Sequence, residues 1–146
     1  MNILVSACLL GVPCRYDGKS MPNAAVIALK SRHNLIPICP EQAGGLPTPR
    51  IPAERLGNAV FNREGAEVTE AYQKGAETAL KLALKYHCRY AILKEKSPSC
   101  GHGIIYDGTF TGKRVAGNGV TTELLASHGI LVFGESQLSP LPKEFL

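Results

Sequence analysis

Four short apolar runs, at residues 3–7, 35–38, 90–93 and 130–133, alternate along the chain with stretches of helical periodicity, and this alternation constrains the fold more than any other feature. Each run is too short for a helix. The first, ILVSA, is apolar at successive positions and not at alternate ones, the pattern of a strand buried on both faces. Strand and helix in alternation predict an α/β chain: a Rossmann-like three-layer sandwich with a mostly parallel sheet of about four strands and right-handed crossovers. With 146 residues, of which 45% are hydrophobic, the chain is long enough for one packed core, and no shift in composition marks a second domain.

Between the strands, Asn23 is placed to cap a helix carrying Val26, Ile27 and Leu29, with Lys30 and Arg32 near its C-terminus. The longest helix is expected over residues 64–87, where Val68, Ala71, Tyr72, Gly75, Ala79, Leu82, Ala83 and Tyr86 recur at three- and four-residue spacing. Gly75 costs that helix stability unless a neighbour packs closely against it. A last helix is expected over residues 120–128, stopped by Gly129. Residues 104–106 and 109–111 flank Asp107-Gly108 and predict a small hairpin. Residues 40–57, dense in Pro and Gly, predict an irregular loop, long enough to be functional or mobile.

Three of the five cysteines fall just past expected strand ends: Cys8 after ILVSA, Cys39 after LIPI, and Cys100 in the loop after YAILKEK. In an open parallel sheet these ends share one edge, so thiols distant in sequence are expected to converge on one site. Cys14 lies in a similar Gly- and Pro-rich loop, whereas Cys88, at a helix end, reads as a small buried hydrophobe. No CxxC pair is present, which argues against a structural zinc site, and no GxGxxG is present, which argues against a dinucleotide site.

Other side chains cluster around these thiols in sequence. Glu41, two residues after Cys39, is either a solvated loop glutamate or a general acid or base beside a metal. Ser97 and Ser99 flank Pro98 just before Cys100, with Lys94 and Lys96 upstream, at a strand end where ligand loops occur. Arg15, in CRYDG, either snorkels to solvent or holds a substrate phosphate or carbonyl. His87, His102 and His128 lack paired ligand spacing, and only His102 is near the expected site.

The net charge of +4 is scattered and tryptophan is absent, which suits a small anionic substrate and argues against a large nucleic-acid interface. No secretory leader and no membrane-spanning run is recognisable, so a cytoplasmic protein is expected, and in that reducing compartment the cysteines are expected as ligands or reactive thiols.

Taken together, SACLLGVPCRYDG, CPEQAGGLPTPRIPAE, LKEKSPSCGHGIIYDGTFTG and GNGVTTELLASHGILVFGE resemble the DUF523 family, which includes the thiouracil desulfurases, and the likeness covers nearly the whole chain. The resemblance implies a [4Fe-4S] cluster held by three cysteines with one iron open for a substrate sulfur. It implies Cys8, Cys39 and Cys100 as ligands, with Cys14 as the alternative to Cys8. It further implies Glu41 and Ser97 as catalytic residues, Arg15 and Lys96 as substrate-binding residues, and a thiolated pyrimidine or its nucleotide as substrate. Two other functions remain open from the sequence: a non-catalytic metal- or cluster-binding redox sensor, and a persulfide-based sulfur carrier.

Overall fold

A computed structural model describes all residues, Met1–Leu146. Four parallel strands, β1 (Asn2–Ser6), β2 (Asn34–Ile38), β5 (Tyr90–Leu93) and β8 (Leu131–Gly134), form one sheet in the order β2-β1-β5-β8. The crossover from β1 to β2 and the return to β5 lie on opposite sides of β1. The sheet therefore has a topological switch point between β1 and β5, where a crevice opens beyond the carboxyl ends of the strands.

Both faces of the sheet are covered, as the apolar runs require. One face packs Ile3, Val5 and Ile92 against Val26 of α1 (Ala24–Ala28) and against Phe145 from the C-terminal segment. The other packs Leu4, Ala91 and Leu93 against Ala79 and Ala83 of α3 (Thr69–Lys85) and Leu125 of α4 (Val120–Ser127). Ile3, Leu4 and Val5 are fully buried, so successive side chains reach opposite cores, each contributing about 1.5–3 kcal/mol for a residue of this size. The three-layer α/β arrangement is the one expected. Asn23 caps α1 as expected, its side-chain oxygen accepting from the Val26 N–H.

Three local expectations are corrected. Residues 40–57 are not wholly irregular: they contain the short helix α2 (Pro40–Ala43) and the strand β3 (Ala53–Leu56), which pairs antiparallel with β4 (Ala59–Asn62) across a turn at Gly57. Pro40 at the first helical turn starts α2, because that position has no intrahelical use for an N–H. The long helix begins at Thr69 and not at residue 64, because Asn62 holds the preceding segment in a turn: its Oδ1 accepts from the N–H groups of Glu64 and Ala66. The hairpin pairs β6 (Ile104–Tyr106) with β7 (Arg114–Ala116), so the loop between them is longer than the expected two-residue turn. Asp107 explains the difference, since its carboxylate accepts from the Thr109 N–H and shapes a wider loop. No helix is long and apolar enough to cross a membrane.

Candidate active site

The crevice beyond the strand ends has a volume of about 520 Å³, and Cys8, Cys14, Cys39 and Cys100 all line it. Cys39, Cys8 and Cys100 follow the three neighbouring strands β2, β1 and β5. Cys14 arrives from the loop after a 3-10 turn at Ala7–Leu10 and lies against the others: the Cys39 thiol approaches the Cys14 carbonyl at 3.7 Å. All five cysteines are free thiols, and Cys88 is buried away from the crevice.

Each cysteine-bearing loop is held by backbone contacts. Ser6, at the end of β1, accepts the Lys94 N–H through its hydroxyl and so bridges the two strands that border the switch point. The loop carrying Cys100 is clamped by the start of α4: the Val120 N–H donates to Pro98, those of Thr121 and Thr122 to the Ser99 carbonyl, and the Thr122 hydroxyl to the Cys100 carbonyl. Gly119 permits this approach, since a Cβ there would run into the Ser99 backbone.

The thiol environments favour the protonated form in the metal-free chain. Burial pushes Cys100 up to about 12 despite a hydrogen bond from Ser6. Hydrogen bonding with Cys39 favours ionisation of Cys14, but its contact with Cys8 and its burial outweigh this and push it up to about 11. The Cys14 thiol and burial raise Cys39 further still. Thiols of this kind ionise when a metal takes the place of the proton, so loading the site releases protons.

Glu41, on α2, points into the same crevice. Its Oε2 accepts from Arg50 Nε at 2.9 Å and from the Tyr72 hydroxyl at 3.1 Å, while Oε1 receives the Ser97 hydroxyl at 3.5 Å. Ser97 has its orientation fixed by the turn it caps. Its oxygen accepts from the N–H groups of Ser99 and Cys100, both at 3.1 Å, which occupies its lone pairs and leaves its single hydrogen for Glu41. Glu41, Ser97 and the four thiols are thus assembled from loops as far apart as residues 8 and 100.

The cavity is also lined by cations and aromatic rings. Lys96 and Arg63 line it without a carboxylate partner, Arg63 lying over the Phe110 ring at 5.8 Å. Arg15 also lines it, but is paired with Asp17 at 3.6 Å and set against Tyr16. Lys96 and Phe110 both have positive φ, at 66° and 58°, a conformation that side-chain-bearing residues adopt at a cost. His102, the one histidine near the site in sequence, does not line the cavity. Arg50, Arg63, Tyr72 and Phe110 were not singled out as site residues from the sequence. The close approach of Gly75 was the available signal for Tyr72, which lies one turn before it on α3.

A parallel sheet whose switch-point crevice gathers thiols, a carboxylate and an oriented serine defines an α/β protein with a thiol-rich ligand site at the carboxyl edge of its sheet. Residues 3–137 match the model of the 2-thiouracil desulfurase family. A solved structure of the [4Fe-4S]-dependent thiouracil desulfidase TudS superposes with a TM-score of 0.90 and 53% sequence identity, covering 96% of this chain and 94% of that one. An uncharacterised Bacillus subtilis protein, YbbK, is 40% identical over 95% of this chain and 99% of its own length. The chain belongs to the 2-thiouracil desulfurase family.

Proposed function

We propose that this protein is a [4Fe-4S]-dependent desulfurase that replaces the sulfur of a thiolated pyrimidine base, or of its nucleotide, with oxygen from water. The observation that carries the reading is the meeting of Cys8, Cys39 and Cys100 with Glu41 and Ser97 in one crevice at the sheet's switch point.

The donors suit the cluster. Soft thiolates are the ligands of iron–sulfur clusters. Cys8, Cys14, Cys39 and Cys100 all line one crevice, so several thiol donors are available in one place. Cys8, Cys39 and Cys100 are the ligands in this reading because each lies in the segment beyond the carboxyl end of a different strand of the rigid sheet. Cys14 is the neighbouring thiol that stands in if Cys8 does not ligate. When bound, the cluster would supply a soft Lewis-acidic iron suited to a substrate sulfur.

The chain's own residues handle the proton and the water. Glu41 takes a proton from the attacking water at Oε1, and Ser97 orients this base by donating its hydroxyl hydrogen to the same oxygen. The water oxygen bonds to the ring carbon as the carbon–sulfur bond breaks. The products are the oxo-pyrimidine and sulfide, and no net oxidation or reduction occurs. Lys96 and Arg15 hold the substrate's carbonyl or phosphate, supported by their place in the lining of the same cavity. A protein of this kind works in the reducing cytoplasm, where the free thiols persist.

Glu41→Gln tests the reading, since it preserves the shape of the side chain and removes the base. The reconstituted variant is expected to keep its iron and lose turnover of 2-thiouracil or thiouridine monophosphate by about 100-fold or more, within the range for general acid–base catalysis. Undiminished turnover would remove Glu41 from the mechanism. A wild-type protein that holds iron but turns over neither substrate would favour the redox-sensor reading.

A further inference from the structure

We infer that Arg50 and Tyr72 are positioning residues for the desulfurase reaction: together they hold one oxygen of Glu41, leave the other free to act, and Arg50 ties the carboxylate to the loop that carries Cys14. The inference rests on the reading of Glu41 as the acid–base group.

The hydrogen-bonding pattern is asymmetric. Arg50 Nε and the Tyr72 hydroxyl both donate to Glu41 Oε2, at 2.9 and 3.1 Å, and Oε1 has only the longer contact from Ser97. Two donors from different directions on one oxygen define the plane and the rotation of a carboxylate. A proton-transfer group is effective only when the reactive oxygen lies within hydrogen-bond reach of its target. Burial and the adjoining Glu41 carboxylate push the Tyr72 phenol far up, so the hydroxyl remains a donor.

Arg50 is fully engaged by the protein. Besides Glu41, its guanidinium donates to the Cys14 carbonyl at 2.9 Å, to the Thr48 hydroxyl at 3.0 Å and to the Pro47 carbonyl at 3.2 Å. Its side chain is only 6% exposed. A guanidinium so committed is not a substrate cation, unlike the unpaired Lys96. It joins the first turn of α2 to the loop that carries Cys14, and its planar fork is what allows four bonds in fixed directions.

The backbone supplies Tyr72. Gly44 and Gly75 face the carbonyls of Ala71 and Pro40, so α2 and α3 touch through bare backbone. Tyr72, one turn before Gly75, then lies beneath Glu41 and is 2% exposed. A phenol buried to that degree, with its hydroxyl on a carboxylate, contributes more than packing.

The test uses Tyr72→Phe, Arg50→Lys and Arg50→Met alongside Glu41→Gln in the reconstituted protein. Tyr72→Phe is expected to keep its iron and its KM within about twofold while kcat falls about tenfold, an effect confined to the chemical step. Arg50→Met should lower kcat further, with Arg50→Lys failing to restore it, since an ammonium cannot make the same four bonds. The decisive comparison is the double variant: if Tyr72 acts through Glu41, Tyr72→Phe costs no additional activity in the Glu41→Gln background. The cluster-free chain gives a reading that does not depend on activity, because the shifts in unfolding midpoint from Tyr72→Phe and Glu41→Gln should fail to add. Additive losses in both measurements, or a Tyr72→Phe enzyme equal to wild type while Glu41→Gln is inactive, would overturn this inference and leave the role of Glu41 standing. Full activity in Glu41→Gln would instead overturn the reading on which it depends.

Discussion

Gly75→Ala is the substitution that most directly tests how the fold builds the site. In an ordinary helix interior the change from Gly to Ala stabilises by about 1 kcal/mol, because glycine gives up more conformational freedom on folding. Here a Cβ would lie 2.7 Å from the Pro40 carbonyl carbon and still nearer its oxygen, where ordinary contact begins at 3.4 Å. The obstruction is backbone against backbone, so no side chain can rotate out of the way. Helices α2 and α3 would have to separate by more than about 1 Å, at the upper end of the roughly 1–3 kcal/mol that overpacking costs. Set against the helix gain, the net loss is about 2 kcal/mol, or a melting temperature lower by about 4–8 °C in a chain of this length. The same separation stretches the 3.1 Å bond from Tyr72 to Glu41 beyond hydrogen-bond range. Misplacement on that scale lowers kcat by up to about 100-fold. Thermal unfolding of the cluster-free chain and steady-state turnover of the reconstituted protein measure the two effects. A Gly75→Ala protein that melts at or above the wild-type temperature with unchanged kcat would refute the contact and its role.

Two further predictions concern charge. Lys96→Ala is expected to raise KM for a thiolated nucleotide about tenfold or more, as for loss of a charged hydrogen bond, and to change KM for the uncharged thiobase much less; equal effects on both would remove Lys96 from substrate binding. Burial opposes ionisation of Glu95, but hydrogen bonding to Ser136, whose N–H donates at 2.6 Å, and the charges of Lys94 and Lys96 outweigh it, so its pKa is lowered in the folded chain. The stability this supplies is present above the unfolded glutamate value of about 4.3 and is lost as pH falls through the lower folded value. Denaturant unfolding of Glu95→Gln should therefore show a shallower acid loss of stability than wild type, and an unchanged slope would contradict the assignment.

The sheet and the strand-end thiols were legible because their physical signals are local. Residues 3–7 and 90–93 are mostly apolar at successive positions, as strands buried on both faces must be; Cys8 follows the first directly and Cys100 lies in the loop after the second. The β3–β4 hairpin was not legible: Ala53–Leu56 is only half buried and polar at two of four positions, and prolines on one side and a glycine turn on the other hide so short a strand. Arg50 was hidden for a related reason, since it is an isolated charge in a Pro-rich segment whose partners, Glu41 and the Cys14 carbonyl, are brought to it only by tertiary folding. Tyr72 read as an ordinary apolar position on a helix face, which its ring is; the helix pattern carries no sign that its hydroxyl meets a carboxylate. Gly75 did carry such a sign, and the neighbour its cost implied is Pro40, at the start of the helix that bears Glu41.

In the proposed function Cys8, Cys39 and Cys100 hold one cluster and leave an iron open. Iron and acid-labile sulfide per chain, measured after anaerobic reconstitution of wild type and of the Cys8→Ala, Cys14→Ala, Cys39→Ala and Cys100→Ala variants, test it most directly. The account predicts about four of each in wild type and in Cys14→Ala, and loss of both in the other three variants. Retention in Cys8→Ala with loss in Cys14→Ala would move the ligand to the loop thiol, and little iron in any of the proteins would contradict the cluster itself.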